Sequence, residues 1–454
     1  MTARAIDQEG LRRACAEGSA SEWLAAAGVQ TVHLALLDSS GTLREKRLSP
    51  GAAARAFEGG WSFIDAIGWW GPEDDVGRSG GSEHQPALVD LLSGRPYPFE
   101  PDSFHFMAEF VGPMAELSPR HQVERMIGRL AEAGLEADVG WEFECIVLET
   151  PPGGALAETT ELRPAMPANR CWSAQTMATE AELLRGLVAT LTGGGIPVDH
   201  VCAELGPGCL ELALEQQPAL RAADGAALSK VFTKAYFEQR GLVATFMAQL
   251  DDDFPGLGGH PSLSLRWTHD GSPALAEPAG DLSQVARGAI AGITTLLPEL
   301  LVMVAPNPNS YRRFSPGNWA PSTATWGVGN YSCALRVVAD RPESTRLELR
   351  IPGADTSPHL CLAMMLGAAL WGVEQGLEPP PPLQAPADGR ARATERRLPR
   401  DLQEAAERFT GSETGRGLFG SNFVDHYGAS RLAEARACSR FVSAQERRRY
   451  LRTV

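Results

Sequence analysis

The chain has eight cysteines in 454 residues and no Cys-x-x-Cys pair, so neither a disulfide framework nor a thiolate zinc site is suggested. Basic residues are short: 41 Lys and Arg against 56 Asp and Glu give a formal charge of −15. That balance argues against nucleic acid as a partner. No apolar run reaches bilayer-spanning length, and the opening MTARAIDQEGLRRACAEG lacks the apolar centre of a signal peptide. A cytoplasmic protein with no membrane partner is the expectation. No internal repeat is visible. The length allows a large core and more than one structural unit.

Acidic residues are present, in a telling arrangement. Five carboxylates and one histidine occur in four short segments: Glu142 and Glu144, Glu204 and Glu211, His260 after Gly256-Leu257-Gly258-Gly259, and Glu348 between Arg346 and Arg350. Hard divalent cations take several oxygen ligands, and carboxylates bring charge as well as donor atoms. Six ligands suffice for two neighbouring ions, with water and phosphate completing each shell. Two ions beside arginines are the usual means of holding a nucleoside triphosphate and its transferring phosphoryl group. Residues i and i+2 of a strand share a face, so Glu142 and Glu144 enter one cavity. Arg346, Glu348 and Arg350 alternate with Leu347, Leu349 and Ile351, which predicts a half-buried strand. Each fragment alone has a plainer reading: a solvated sheet face, a surface Glu-x-Glu, a loop histidine. Four of them in one chain are much less readily accidental. Cys145 and Cys209 sit beside candidate ligands but read as small core residues, because Mg²⁺ and Mn²⁺ prefer oxygen.

The chain divides near Ser118-Pro119-Arg120. Before it, residues 31–37 and 42–48 predict a hairpin around the turn Asp38-Ser39-Ser40-Gly41, followed by a loop-rich stretch over 59–94. After it, Ser118 caps a helix over 121–133 with Pro119 in its first turn. Further helices are expected at 179–191, 222–240, 281–297, 360–375 and 430–450. Residues 376–390 read as a proline-rich surface loop.

In this order the segments resemble the glutamine synthetase family, including its gamma-glutamyl–amine ligase branch. Glu142-Phe143-Glu144 is similar to the family's first metal strand, and residues 204–211 around Gly206-Pro207-Gly208 to its second acidic segment. Residues 256–264 resemble the glycine loop carrying the metal histidine. Asn309-Ser310-Tyr311-Arg312-Arg313-Phe314-Ser315-Pro316-Gly317 is close to its most specific signature, and residues 346–355 close the set. The resemblance implies an α+β fold. An N-terminal beta-grasp domain would cover 20–115, and a catalytic domain with a curved antiparallel sheet flanked by helices would cover 116–454. It implies a homo-oligomer, a dodecamer of two stacked hexameric rings with active sites between neighbouring subunits, and ring contacts from the tail 441–454. It implies two or more Mg²⁺ or Mn²⁺ ions per site, with ATP as co-substrate and glutamate and an amine as the other substrates. Carried over by residue, Glu144, Glu204 and Glu211 would hold one ion, and Glu142, His260 and Glu348 the ion bridging the phosphates. Glu144, Gly256, Arg313 and Arg350 would bind glutamate. Arg336, Arg346 and Arg350 would meet phosphates, and Asp199 and Ser264 fall where the family contacts the nucleotide. Arg313, Arg336 and Arg350 would thus serve catalysis, with Asp65 as the base that deprotonates the amine.

The departures bear on the substrate. Ammonia-using members carry a glutamate where this chain has Trp319, and a second acidic motif of the N-terminal region is replaced by Gln85-Pro86-Ala87. An ammonium ion needs anionic or carbonyl partners to leave water. Trp319, with Trp69 and Trp70, would instead line a pocket for a larger, apolar or aromatic amine; Trp61 and Trp326 are further candidates. Glu73, Asp74 and Asp75 keep polyamines open. Tyr331 replaces an arginine that the family aims at the phosphates. The expected reaction is ATP-dependent formation of gamma-glutamyl phosphate followed by attack of an organic amine. The alternatives are an ammonia-dependent glutamine synthetase, and a catalytically weak regulatory or binding paralogue or an enzyme of a different acid.

Overall fold

The computed structural model describes residues 6–71, 74, 83–151, 162–314, 320–384 and 396–452. Among these residues the strands form two sheets. The first holds β1 (Thr31–Leu37), β2 (Leu43–Leu48), β3 (Trp61–Ile64), β4 (His84–Pro96) and β5 (Ser103–Phe110), in the order β2-β1-β5-β4-β3. The predicted hairpin is there. Asp38 Oδ1 accepts from the backbone N–H groups of Ser40 and Thr42, both at 2.9 Å, and Gly41 supplies the positive φ of +84° that the turn requires. β1 and β5 run parallel, the other pairs antiparallel. Val32, Leu34 and Leu36 of β1 join a core with Leu11, Leu24, Phe57 and Phe106. The expectation of a loop-rich stretch over 59–94 is corrected: β3, a 3₁₀ turn at Asp65–Trp69 and most of β4 occupy it. Glycines and prolines masked the short apolar alternation there.

The second sheet contains β6 (Leu135–Glu149), β7 (Val198–Ala203), β8 (Cys209–Pro218), β9 (Leu242–Thr245), β10 (Gly259–Trp267), β11 (Trp326–Val328), β12 (Leu335–Val338) and β13 (Arg346–Leu349). Its order is β11-β12-β13-β10-β6-β8-β7, with β9 on β6. The pairs are antiparallel except β11 and β12, which run parallel, so the sheet is mixed at that edge rather than wholly antiparallel. One face carries Val139, Trp141, Phe143, Leu212, Leu263, Leu335, Leu347 and Leu349, all in one large core. The helices Pro119–Glu132, Ala219–Glu238 and Pro358–Glu374 belong to that core. The opposite face is left to polar side chains.

Helix identities follow the sequence, with shifted ends. Ser118 caps Pro119–Glu132 as expected, its hydroxyl accepting from His121 N–H. The helix expected over 430–450 is two, Ser421–Ser439 and Ala444–Tyr450. Ser443 and Glu446 form a capping box that starts the second helix afresh. The helix expected at 179–191 is Ala181–Gly193, preceded by a separate short helix Ala174–Thr179. Contrary to the reading of apolar runs, Gln284–Met303 is long and apolar enough by composition to cross a membrane. In this fold it is a core helix, 83% of that window being buried. It meets Pro358–Glu374 so closely that a Cβ on Gly292 would lie 2.1 Å from Ala368 O and 2.8 Å from Gly372 Cα. Where it is described, the proline-rich segment is a surface loop as expected, and it is pinned to β11. Leu383 N–H donates to Trp326 O at 2.9 Å, and Trp326 Nε1 to Pro380 O at 2.7 Å. Residues 385–390 lie outside the described residues.

The two cores are joined by buried charge. Arg120 on the helix Pro119–Glu132 donates to both oxygens of Asp224 at 3.0 and 3.1 Å, and to Asp90 of β4. Asp224 also meets His359 Nε2 at 2.9 Å, and Arg221 bonds Asp90.

Candidate active site

Strand register aligns the sequence's scattered acids. Residues paired across a sheet point to the same side. On the polar face of the second sheet, His200, Ala213, Glu142 and His260 form one row across β7, β8, β6 and β10. The next row is Cys202, Glu211 and Glu144. A third is Arg336, Glu348, Ser262 and Gly140. Glu142 and Glu144 therefore share the polar face of the sheet, as their two-residue spacing predicts.

Ligand atoms of Glu142, His260 and Glu348 all lie within 4.8 Å of one another. His260 and Glu348 are buried. Arg313 Nη2 lies 3.1 Å from His260 Nε2. A guanidinium can only donate, so that nitrogen carries a lone pair and the ring is neutral. Burial, then Arg350, Arg313 and Arg336, push the imidazole well below its ordinary value, which agrees. Gly258 makes the approach possible: a Cβ there would lie 2.4 Å from His260 Nε2 and 3.2 Å from Arg313 Nη2. Gly258 N–H also donates to Glu144 Oε2 at 2.6 Å. Gly256, two residues earlier, is bridged to Gln249.

The carboxylates repel. Burial, then Glu348 and Glu211, raise Glu142 to about 7 against the opposing pull of Arg350 and His200. Burial raises Glu144 to about 7 as well; Arg313 and the Gly258 N–H oppose it, and Glu211 and Glu204 add to it. Burial and Glu204 raise Glu211. Acids facing one another without enough counter-charge are a fitting cradle for divalent cations, which would relieve the repulsion. Glu204 stands just past β7, its Oε1 accepting from Leu205 N–H at 2.9 Å and from the Cys171 thiol at 3.4 Å.

The arginines fall into two groups. Arg336 Nη1 donates to Glu348 Oε2 at 2.6 Å, and Arg350 Nη1 to Glu348 Oε1. Tyr331 lies across both, its ring 4.0 Å from the Arg336 guanidinium and 5.2 Å from that of Arg350. Arg313 instead turns inward, donating to Ile351 O at 3.0 Å. Arg346 Nη1 is 3.4 Å from Ser344 O, and Ser264 Oγ 3.5 Å from Thr345 O. Asp199 is exposed and bonds His200.

Other predicted residues are not gathered here. Asp65 is buried in the first sheet's domain, accepting from Glu83 N–H at 3.2 Å. Trp69 meets His426 edge-on at 5.1 Å, and Trp70 lies 4.8 Å from Arg44. Trp61 packs on the first core. Trp326 is a core residue of the second, which corrects its reading as a pocket wall. Trp319, Glu73 and Asp75 lie outside the described residues. Sequence reasoning missed Asn169. This buried amide donates to the carbonyls of Glu204, Gly206 and Cys209 at 3.0, 3.0 and 2.8 Å, clamping the acidic turn. It also missed Asp355, whose Oδ2 takes bonds from Asn307 and Ser310 at 2.9 and 2.6 Å and so holds the arginine segment against the sheet. A lone Asn and a lone Asp carry no spacing signal.

A family model described as glutamine synthetase, catalytic domain, matches residues 116–450. The chain is 31% identical over 438 residues to type-1 glutamine synthetase 2 of Dictyostelium discoideum, spanning 93% of this chain and 84% of that protein. It is 31% identical over 343 residues to glutamate–isopropylamine ligase of a Pseudomonas species, spanning 75% and 74%. A solved GmaS/ADP complex superposes with a TM-score of 0.83 at 24% identity, covering 95% of this chain and 99% of that one, a likeness of fold.

Proposed function

The chain belongs to the glutamine synthetase family, and we propose that within it the enzyme joins glutamate to an apolar or aromatic organic amine rather than to ammonia. It is an ATP-dependent glutamate–amine ligase of the glutamine synthetase type. The family uses divalent metals and ATP. The observation carrying the reading is the carboxylate row with Arg336 and Arg350 fixed on Glu348. We assign Mg²⁺ or Mn²⁺ ions, two or more, to Glu142, His260 and Glu348, whose ligand atoms lie together, and to Glu144, Glu204 and Glu211. When bound they would neutralise the phosphates and steer the phosphoryl group. Arg336 and Arg350 supply fixed positive charge where negative charge accumulates in transfer, with Arg346, Ser264 and Asp199 toward the nucleotide. Glu144, Gly256, Arg313 and Arg350 are assigned to glutamate, whose side-chain carboxylate is activated as the gamma-glutamyl phosphate.

The preference for an organic amine rests on residue type and likeness. An indole, Trp319, stands in the sequence where ammonia-using members have a glutamate, and the Pseudomonas relative is an isopropylamine ligase. Apolar area rewards burial of a hydrocarbon group by roughly 25 cal/mol per Å². Asp65, Trp69 and Trp70 lie in and just after the 3₁₀ turn that follows β3, beside the first sheet's core. We assign them to a site completed by a neighbouring copy, in stacked hexameric rings, with the chain divided into 20–115 and 116–454. The test is ATP-dependent phosphate release with glutamate across a panel of amines. An apolar or aromatic amine should outpace ammonia, and Trp319→Glu should shift the balance back. Fastest turnover with ammonia overturns the preference, and no turnover with any amine overturns the ligase reading. Light scattering tests the rings; a monomer that retains full activity overturns the shared site.

A further inference from the structure

We propose a second, softer metal site at the edge of the carboxylate face, in which His200, Cys202 and Glu211 hold a zinc-class ion and Asp199 fixes the histidine. β7 and β8 pair Cys202 directly with Glu211, and His200 precedes Cys202 by two residues on the same face. One ligand atom from each of the three lies within 4.8 Å of the others. His200 Nε2 is 3.5 Å from Glu211 Oε1, and Cys202 Sγ is 3.7 Å from the same oxygen.

The donor set decides the ion. Mg²⁺ and Mn²⁺ favour oxygen, whereas one imidazole, one sulfur and one carboxylate suit Zn²⁺, with a fourth tetrahedral position for water. The half-exposed His200 side chain leaves that position open to solvent. A second, independent observation points the same way. Asp199 Oδ2 lies 2.9 Å from His200 Nδ1. A carboxylate on the far ring nitrogen is the usual orienting partner of a metal-bound histidine, leaving Nε2 with its lone pair for the ion. Binding would form the metal–sulfur bond as the Cys202 S–H bond breaks, the proton leaving to solvent. The sequence concealed the site because its cysteine stands alone, with no Cys-x-x-Cys spacing.

Glu211 belongs to both clusters, facing Cys202 on β7 and Glu144 on β6. An ion on the softer site would draw Glu211 away from the all-oxygen cluster, so zinc would oppose Mg²⁺ or Mn²⁺. That consequence rests on the metal reading given above; the site itself does not.

The test uses the full chain stripped with a chelator and titrated with Co²⁺ as the spectroscopic probe. One equivalent should give a sulfur-to-cobalt charge-transfer band and tetrahedral ligand-field bands, with one proton released from the thiol. Cys202→Ser should abolish the charge-transfer band, Asp199→Ala should weaken binding about 10–100-fold, and Cys171→Ser should leave the band intact. Absence of the band, or its survival in Cys202→Ser with its loss in Cys171→Ser, overturns the site. Thermal melting checks that each variant folds, and Cys202→Ala serves as a second replacement. In the activity arm, Zn²⁺ inhibition should weaken at least about tenfold in Cys202→Ser, with turnover in Mg²⁺ alone unchanged. Equal inhibition of both proteins overturns the antagonism. If the chain turns over no amine, the cobalt spectrum still decides the site.

Discussion

Two clusters of charge in this molecule are built from similar residues and behave oppositely. In the one joining the two cores, Asp224 is fully buried and bonded by Arg120 and His359, with Arg221 Nη1 3.3 Å away. Burial alone would raise its pKa, but Arg120 and His359 outweigh it and hold the carboxyl well below the ordinary range. On the polar face of the second sheet, Glu142 and Glu144 are pushed up to about 7, burial and neighbouring acids outweighing the arginines. The first cluster supplies its own counter-charge and acts as a structural lock. The second is incomplete, and what it lacks is cationic. Counter-charge, rather than burial or the number of acids, separates a structural network from a binding site.

Removing one acid from each cluster should have unequal effects. Asp224→Ala leaves Arg120 and His359 buried without their partner, which should cost about 3–5 kcal/mol. Glu211→Gln should leave metal-free stability within about 1 kcal/mol of the parent, or raise it, because it relieves repulsion. Urea unfolding of the chelated proteins measures both. Comparable destabilisation by the two changes would end the distinction. Next in size is Glu348→Ala, which releases Arg336 and Arg350 together and removes a proposed metal ligand. Amide formation should fall at least about 100-fold with weaker nucleotide binding, while the fold persists. A variant with near-parental turnover would remove Glu348 from the site.

The two clusters should also answer pH with opposite signs. Asp224 has a lowered folded pKa, so its contribution is present above the ordinary carboxylate value and lost as pH falls through the lower folded one. Glu142 and Glu144 have raised folded values. Between the ordinary 4.5 and about 7 the folded protein holds protons that the unfolded chain has released, so metal-free stability should fall as pH rises through that window. Added Mg²⁺ should remove the fall. Melting temperatures from pH 4.5 to 7.5, with chelator and with Mg²⁺, decide it; a metal-free protein that gains stability across the window contradicts the sign.

How much of this was legible in the sequence depended on range. Glu142 and Glu144 could be put on one face of a strand from its two-residue period, and Ser118 could be read as a cap, because both signals are local. The pairing of Glu211 with Glu144, and of Cys202 with Glu211, is a matter of register between strands, which no single segment encodes. The partners of Asp224 come from helices far apart in the chain, so the lock was invisible. The apolarity of Gln284–Met303 is plain in its own composition, but that the rest of the core covers it is a long-range fact that its sequence does not carry. The division of the last helix was legible, since Ser443-Ala444-Gln445-Glu446 is a capping box, but the helical pattern on either side outweighed it.

A smaller effect is expected at Tyr331, which by resemblance replaces an arginine of the family. The sequence alone counts this as a lost cation. The structure adds that the ring lies against Arg336 and Arg350, and that the Tyr331 carbonyl accepts from Arg350 Nε at 2.9 Å. Both guanidiniums converge on Glu348, so an aromatic face beside them holds two like charges in place without adding a third. The ring is about half exposed, and a cation–π contact in such a setting contributes roughly 0.5–1 kcal/mol. Tyr331→Ala keeps the carbonyl and removes the ring. It should lower stability by less than about 1 kcal/mol and lower turnover a few-fold, with the ATP KM rising as the arginines gain freedom. Tyr331→Phe, which keeps the ring and removes only the hydroxyl, should match the parent in both. Parental kinetics in the alanine variant would show that the ring orders nothing that matters, and a phenylalanine variant as impaired as alanine would move the role from the ring to the hydroxyl.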